Sequence, residues 1–290
     1  MPDFRSVKLL AVLAVAALAG PQPAEVPLGS PSYGLAAAGG SVWVGGLDSG
    51  KVFRVDPAGK VTARLQAGSR IFNLVAAPGA VWAVDSTGGA AVRIDARTGK
   101  VTARVRVGLS PYDVEWGFGS AWVANAGDGT VSRITGTRVV KTIHVGVEPN
   151  GLTAYRGALW ASDHTAGKVV RIDPRTNRVT ATIALPGADW ITGFGEALYV
   201  SEETNTVARI DLASLKVTGR VHVDANPLGS AIVGGKLWVP CIDASEVDVV
   251  DPAAMRVVAR RQLGSGPIVV LPAFGHTWVS NTLGESLLRL

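Results

Sequence analysis

An aromatic residue flanked by β-formers recurs at Trp43, Trp82, Trp122, Trp160, Tyr199, Trp238 and Trp278, at intervals of 38 to 40 residues. A period of that length in seven copies restricts the chain to stacked or radially arranged repeats, because a single unit cannot bury its apolar face alone. Three residues before six of these aromatics stands a glycine (Gly40, Gly79, Gly119, Gly157, Gly235, Gly275), and in the Tyr199 copy Gly195 comes one residue earlier. Glycine there fits a tight hairpin turn that needs positive φ. Thirteen residues after the aromatic, Asp56, Asp95, Asp173 and Asp251 each close a run of β-formers, and Asp followed by Pro opens a type I turn.

Each unit thus reads as four short strands: one rich in small residues (Leu35 to Ala38), the aromatic strand, a strand ending in Asp, and an alternating strand such as Val101 to Val107. No window of helical periodicity follows the amino-terminal segment. Seven such units predict an all-β fold, a seven-bladed β-propeller of four-stranded antiparallel blades. The seventh unit stops at Leu290 after its third strand. Glu25-Val26-Pro27-Leu28-Gly29 matches Arg104-Val105-Arg106-Val107-Gly108, so the N-terminal strand is expected to supply the missing outer strand and close the last blade. Pro27 then falls on an outermost strand, which tolerates a missing donor.

Residues 1–19 read as an export signal. Arg5 and Lys8 precede an apolar run from Leu9 to Leu18, and Ala17-Leu18-Ala19 supplies a small-x-small cleavage pattern. The run is about half the ~20 residues a spanning helix needs, so stable membrane insertion is not expected after cleavage. The remaining 20–290 form the propeller, placed in a secreted or periplasmic compartment. One Cys, Cys241, excludes a disulfide framework, and four scattered His show no zinc signature. Without Arg5, Lys8 and Asp3 the chain carries 26 basic and 22 acidic residues spread along its length, which argues against a nucleic-acid stripe.

Val123-Ala124-Asn125-Ala126-Gly127-Asp128-Gly129-Thr130-Val131-Ser132-Arg133-Ile134, followed by Lys141-Thr142-Ile143-His144-Val145-Gly146 and Pro149-Asn150-Gly151, resembles the YVTN-type propeller repeat. Tyr199-Val200-Ser201-Glu202 and Thr180-Ala181-Thr182-Ile183 are similar to it, and the resemblance spans the mature chain. It implies a blade architecture and relatives among exported surface or periplasmic propellers. A more distant resemblance to streptogramin lyase-like propellers implies a metal-assisted site of His and Glu on one face.

Two columns of the repeat carry the candidate chemistry. Three residues after each aromatic stand Gly46, Asp85, Asn125, Asp163, Glu202, Cys241 and Asn281. Nine residues before it stand Gly34, Asn73, Asp113, Gly151, Gly229 and Val269, and in the fifth copy, which reads as shortened, Asp189 or Trp190 takes the place. The loops bearing both columns open on one face, so Asp85, Asp113, Asp163, Asp189 and Glu202, with His164, Trp190 and Glu203 beside them, are expected at one mouth. Such a group can hold a divalent cation or a cationic ligand. Asn and Asp just after a strand also bond neighbouring backbone in Asx turns, which alone would account for Asp85, Asn125, Asp163 and Asn281. Two function classes follow. One is a non-catalytic exported binding module for a small molecule or another exported protein. The other is a metal-assisted lyase or hydrolase with Glu202, Glu203 and His164 as candidate base and ligands.

Overall fold

The computed structural model describes residues 22–290, so the export-signal reading of residues 1–19 lies outside the described residues. Seven four-stranded antiparallel sheets make up the described chain. Blade 2 shows the pattern: Ile71–Ala77 lies innermost, followed outward by Ala80–Asp85, Ala90–Asp95 and Val101–Arg106. Blades 1 and 3 to 6 repeat it in chain order, and the inner strand of each blade packs on that of the next, the last on the first. The ring is therefore closed.

Its seam is the one expected. Ala24–Pro27 forms the outer strand of blade 7 against Ser286–Arg289, with Glu25 opposite Leu288 and Val26 opposite Leu287. Val26 and Leu28 bury their side chains, while Pro27 sits on the exposed outermost position.

Burial follows the radial position of each strand. The aromatic strands, such as Ala80–Asp85 and Ser120–Asn125, are buried along their whole length between neighbouring blades. Outer strands such as Val61–Gln66 alternate between half-buried and exposed, as a one-sided surface demands. The preference for Trp has a specific cause. The indole N–H of Trp43, Trp122, Trp160 and Trp278 donates to the carbonyl five residues earlier, at 3.0 to 3.2 Å, so the ring fills the gap between blades and satisfies a hairpin carbonyl.

The arginines that recur on the third strands tie blades together. Arg54 lies over Trp43 and donates to the Arg97 carbonyl of blade 2, at 3.1 Å. Arg133 lies over Trp122 and donates to the Pro174 carbonyl of blade 4, at 2.6 Å. Arg289 reaches the Pro57 carbonyl across the seam. The displaced glycine of the fifth copy is explained by turn type: Phe118-Gly119 has positive φ at both turn positions, whereas in the Gly195-Glu196 turn glycine takes the first.

Candidate functional site

The column after the aromatic strand is built into the loops. The Asp163 carboxylate accepts the backbone N–H groups of Val147, Glu148 and Ala166 at 2.7 to 3.0 Å, and is only 1% exposed. Asp85 accepts those of Ser69, Arg70 and Gly88, Asn125 that of Gly108, and Asn281 that of Ser265. Each side chain pins the connection arriving from the preceding blade onto its own blade. Close approach explains a further repeat: a Cβ on Gly146 would collide with Asp163 Oδ2, and one on Gly68, Gly108 or Gly264 would stand too close to the caps of blades 2, 3 and 7.

Blades 5 and 6 depart from this pattern in matched pairs. Where the cap becomes Glu202, the glycine position holds Leu185, and the carboxylate turns to Arg220, at 3.0 Å, and to Thr206. Where it becomes Cys241, the position holds Asp224, and Asp248 on the next strand accepts the Asp224 N–H at 3.0 Å. Cys241 is fully buried, and burial, with Asp248 and Asp224 nearby, pushes its thiol well above the usual range. Asp224, Glu246 and Asp248 form the one group of three potential ligands within 4.8 Å among the described residues, and Arg260 lies 3.1 Å from the buried Asp248 as a counter-ion.

The fifth copy is not shortened. Ala188 pairs with Glu202 and Ile191 with Val200, the same register as Pro149 with Asp163 and Leu152 with Ala161 in blade 4. Trp190 therefore holds the column nine residues before the aromatic, and Asp189 stands one residue earlier. In that earlier column the seven blades contribute Tyr33, Phe72, Tyr112, Asn150, Asp189, Leu228 and Ile268. Tyr33, Phe72 and Tyr112 pack together, with centroids 4.5 to 6.3 Å apart and the two hydroxyls 2.8 Å from each other. They share one apolar cluster with Trp190, Leu228 and Ile268. Six blades meeting in one cluster places it on the axis, where it plugs the channel beneath the mouth.

Blades 4 and 5 interrupt this plug with polar residues. Asn150 is 7% exposed and its Oδ1 has no partner. Asp189 is half-buried, and its carboxyl is pushed up to about 6, mainly by burial, with Glu203 and Glu148 adding and His164 and Asn150 opposing. His164 Nε2 lies 2.7 Å from Glu203 Oε1, while His164 Nδ1 is buried without a partner. Of the sequence-derived candidates, Asp189, His164 and Glu203 thus meet. Asp85 and Asp163 stay in separate loop caps, and Glu202 is held by Arg220 and Thr206. Asp113, buried and pushed up to about 6 by burial, accepts the Leu152 N–H of blade 4 and the Asn73 side chain. Asn150, Tyr33, Phe72 and Tyr112 were not legible as one set in the two columns read, although they lie one residue away.

The family described as "Repeat of unknown function (DUF6923)" matches residues 32–143, which span blades 1 to 3. No curated protein matches this chain. Among solved structures, Kuenenia stuttgartiensis hydrazine synthase is similar over 95% of this chain and 98% of its own, with a TM-score of 0.80 and 16% identity. At that identity the likeness is one of fold, and this chain is a seven-bladed β-propeller built of repeats.

Proposed function

We propose that the protein is an exported, YVTN-like binding module without catalytic activity, whose ligand site is the polar sector of the mouth between blades 4 and 5. One observation carries the reading: Asn150 Oδ1, buried and unpartnered, beside the Asp189 carboxyl in a ring that is otherwise apolar or aromatic. A buried acceptor without a donor costs free energy that a bound donor would recover. The nearby carboxylates select a compact cation, a divalent ion or a small amine, and Glu203 and Glu148 reinforce that sign.

Calorimetric titration with Ca²⁺, Mg²⁺, Mn²⁺ and methylammonium tests this. One of the four is expected to bind the wild type at a single site and to weaken about tenfold or more in Asp189→Asn, since a charge-assisted contact is lost. Binding of none of them, or binding indifferent to Asp189→Asn, overturns the assignment. The lyase-like reading rests on the His164–Glu203 contact. It requires a divalent ion lost on His164→Gln together with turnover of a substrate, and that outcome would replace the non-catalytic reading.

Export and solubility belong to the same proposal. Material collected outside the cytoplasm is expected to begin at Gly20, by N-terminal sequencing, because the small-x-small pattern ends at Ala19. A start beyond Leu28 would contradict the signal reading, since it would remove the strand that closes blade 7.

A further inference from the structure

The channel continues below the plug as a cavity of about 380 Å³, within the roughly 300–1,000 Å³ of small-molecule sites. Its walls come from the inner strands of six blades and are mostly aliphatic: Leu35, Val75, Leu152, Val270 and Leu271 among them. Two acidic side chains line this wall: Asp113, buried and accepting the Leu152 N–H and the Asn73 amide, and Glu115, half-buried on the same inner strand Pro111–Gly117 of blade 3. Ala36, Val75, Ala231 and Leu271 hold the same position in four other blades, so Glu115 is not an architectural residue of the repeat. Among the described residues no Arg, Lys or His forms an ion pair with it.

The way in is from the hairpin face. Ala37, Ala76 and Trp116 line both this cavity and a recess of about 640 Å³ that extends to Pro78, Gly79 and Arg97 at the hairpin ends. On the mouth side the Tyr33–Phe72–Tyr112 cluster lies across the axis. A ligand that reaches Glu115 by this route passes Asp95 and Arg97 at the rim, then small apolar residues and the Trp116 indole, before the Glu115 carboxyl.

We propose that this lower cavity is a second binding site, for an organic monocation with an apolar body, such as an arylalkylammonium ion, whose nitrogen sits at the Glu115 carboxylate. The apolar walls bury the body and strongly hydrated inorganic ions gain nothing from them. Trp116 at the entrance offers an aromatic face to a passing cation. Burial, with the Asp113 charge on the same strand adding and the Ala154 N–H of blade 4 opposing, pushes the Glu115 carboxyl up to about 8. A cation at the carboxylate stabilises the ionised form, so binding near neutral pH must release a proton.

Benzylammonium is the probe, with benzyl alcohol as its uncharged counterpart, on the full propeller. Benzylammonium is expected to bind the wild type and to weaken about tenfold or more in Glu115→Gln, while Asp189→Asn leaves it unchanged. Benzyl alcohol should not distinguish the two proteins. In the wild type alone, affinity should rise up to about tenfold per pH unit between pH 6 and 8 and level off above, with a buffer-dependent enthalpy reporting the released proton. This last pair of readouts stands even if Glu115→Gln fails to fold. Absence of binding at millimolar benzylammonium, equal affinity in Glu115→Gln, or a pH-independent affinity overturns the proposal. A loss confined to Asp189→Asn would place the cation at the mouth instead.

Discussion

Removing residues 22–29 is expected to lower the melting temperature by on the order of 10 °C and to promote association of the folded chain. The deletion takes away the whole outer strand of blade 7, its register with Ser286–Arg289, and the N–H groups of Leu28 and Gly29 that donate to the Glu285 carbonyl. It also exposes what Val26 and Leu28 cover, and burying two such side chains is worth about 3 to 6 kcal/mol together. At this chain length each kcal/mol moves the midpoint by about 2–4 °C. The hydrogen bond that the Ser286 hydroxyl donates to the Glu25 carboxylate disappears as well, and Ser286–Arg289 becomes a bare edge open to another molecule. Calorimetric melting with light scattering measures both effects, and an unchanged midpoint would show that the seam contributes nothing to holding the ring.

Asp163→Ala should cost about 3 kcal/mol or more in chemical denaturation, because three backbone donors lose their acceptor and each unpaired group costs about 1–3 kcal/mol. Asp163→Asn keeps one acceptor oxygen and is expected to fall roughly half as far. Asp189→Ala, by contrast, removes a carboxyl that burial holds in an unfavourable charged state, so its stability should stay close to wild type. Two acids that share a mouth in the sequence pattern would then separate into a fastener and a ligand group. Equal losses for the two substitutions would defeat that division.

The blade count, the strand order and the seam were legible because each rests on a residue type whose physics repeats: an indole between sheets, a glycine in a tight turn, an alternating outer strand. The plug was harder to read. In six of the seven inner strands a bulge interrupts the pairing near its start, as between Pro111 and Asp113 or Ile71 and Leu74. The extra residue rephases the alternation, so a column counted from the aromatic strand does not by itself tell which neighbour reaches the axis. The column counted from the aromatic therefore names Gly34, Asn73 and Asp113, whereas Tyr33, Phe72 and Tyr112 reach the axis. The loop acids were legible with their local turn bonds, Gly88 to Asp85 and Ala166 to Asp163, but not with the further backbone groups they serve, since those come from the preceding blade and depend on the ring. Glu115 has no echo in the other copies, and a search by repetition cannot find a residue whose meaning lies in being single.

The seam also sets a timetable for folding. Blades 1 to 6 each form from consecutive residues joined by short turns, so their pairings can begin as soon as those residues exist. Among the sheet pairings, only that of Ala24–Pro27 must wait for Ser286–Arg289. The search for that contact would be slow in a free coil, but the six blades between them already carry the two ends around the ring and bring them side by side. The clasp is thus expected to form last and to open first.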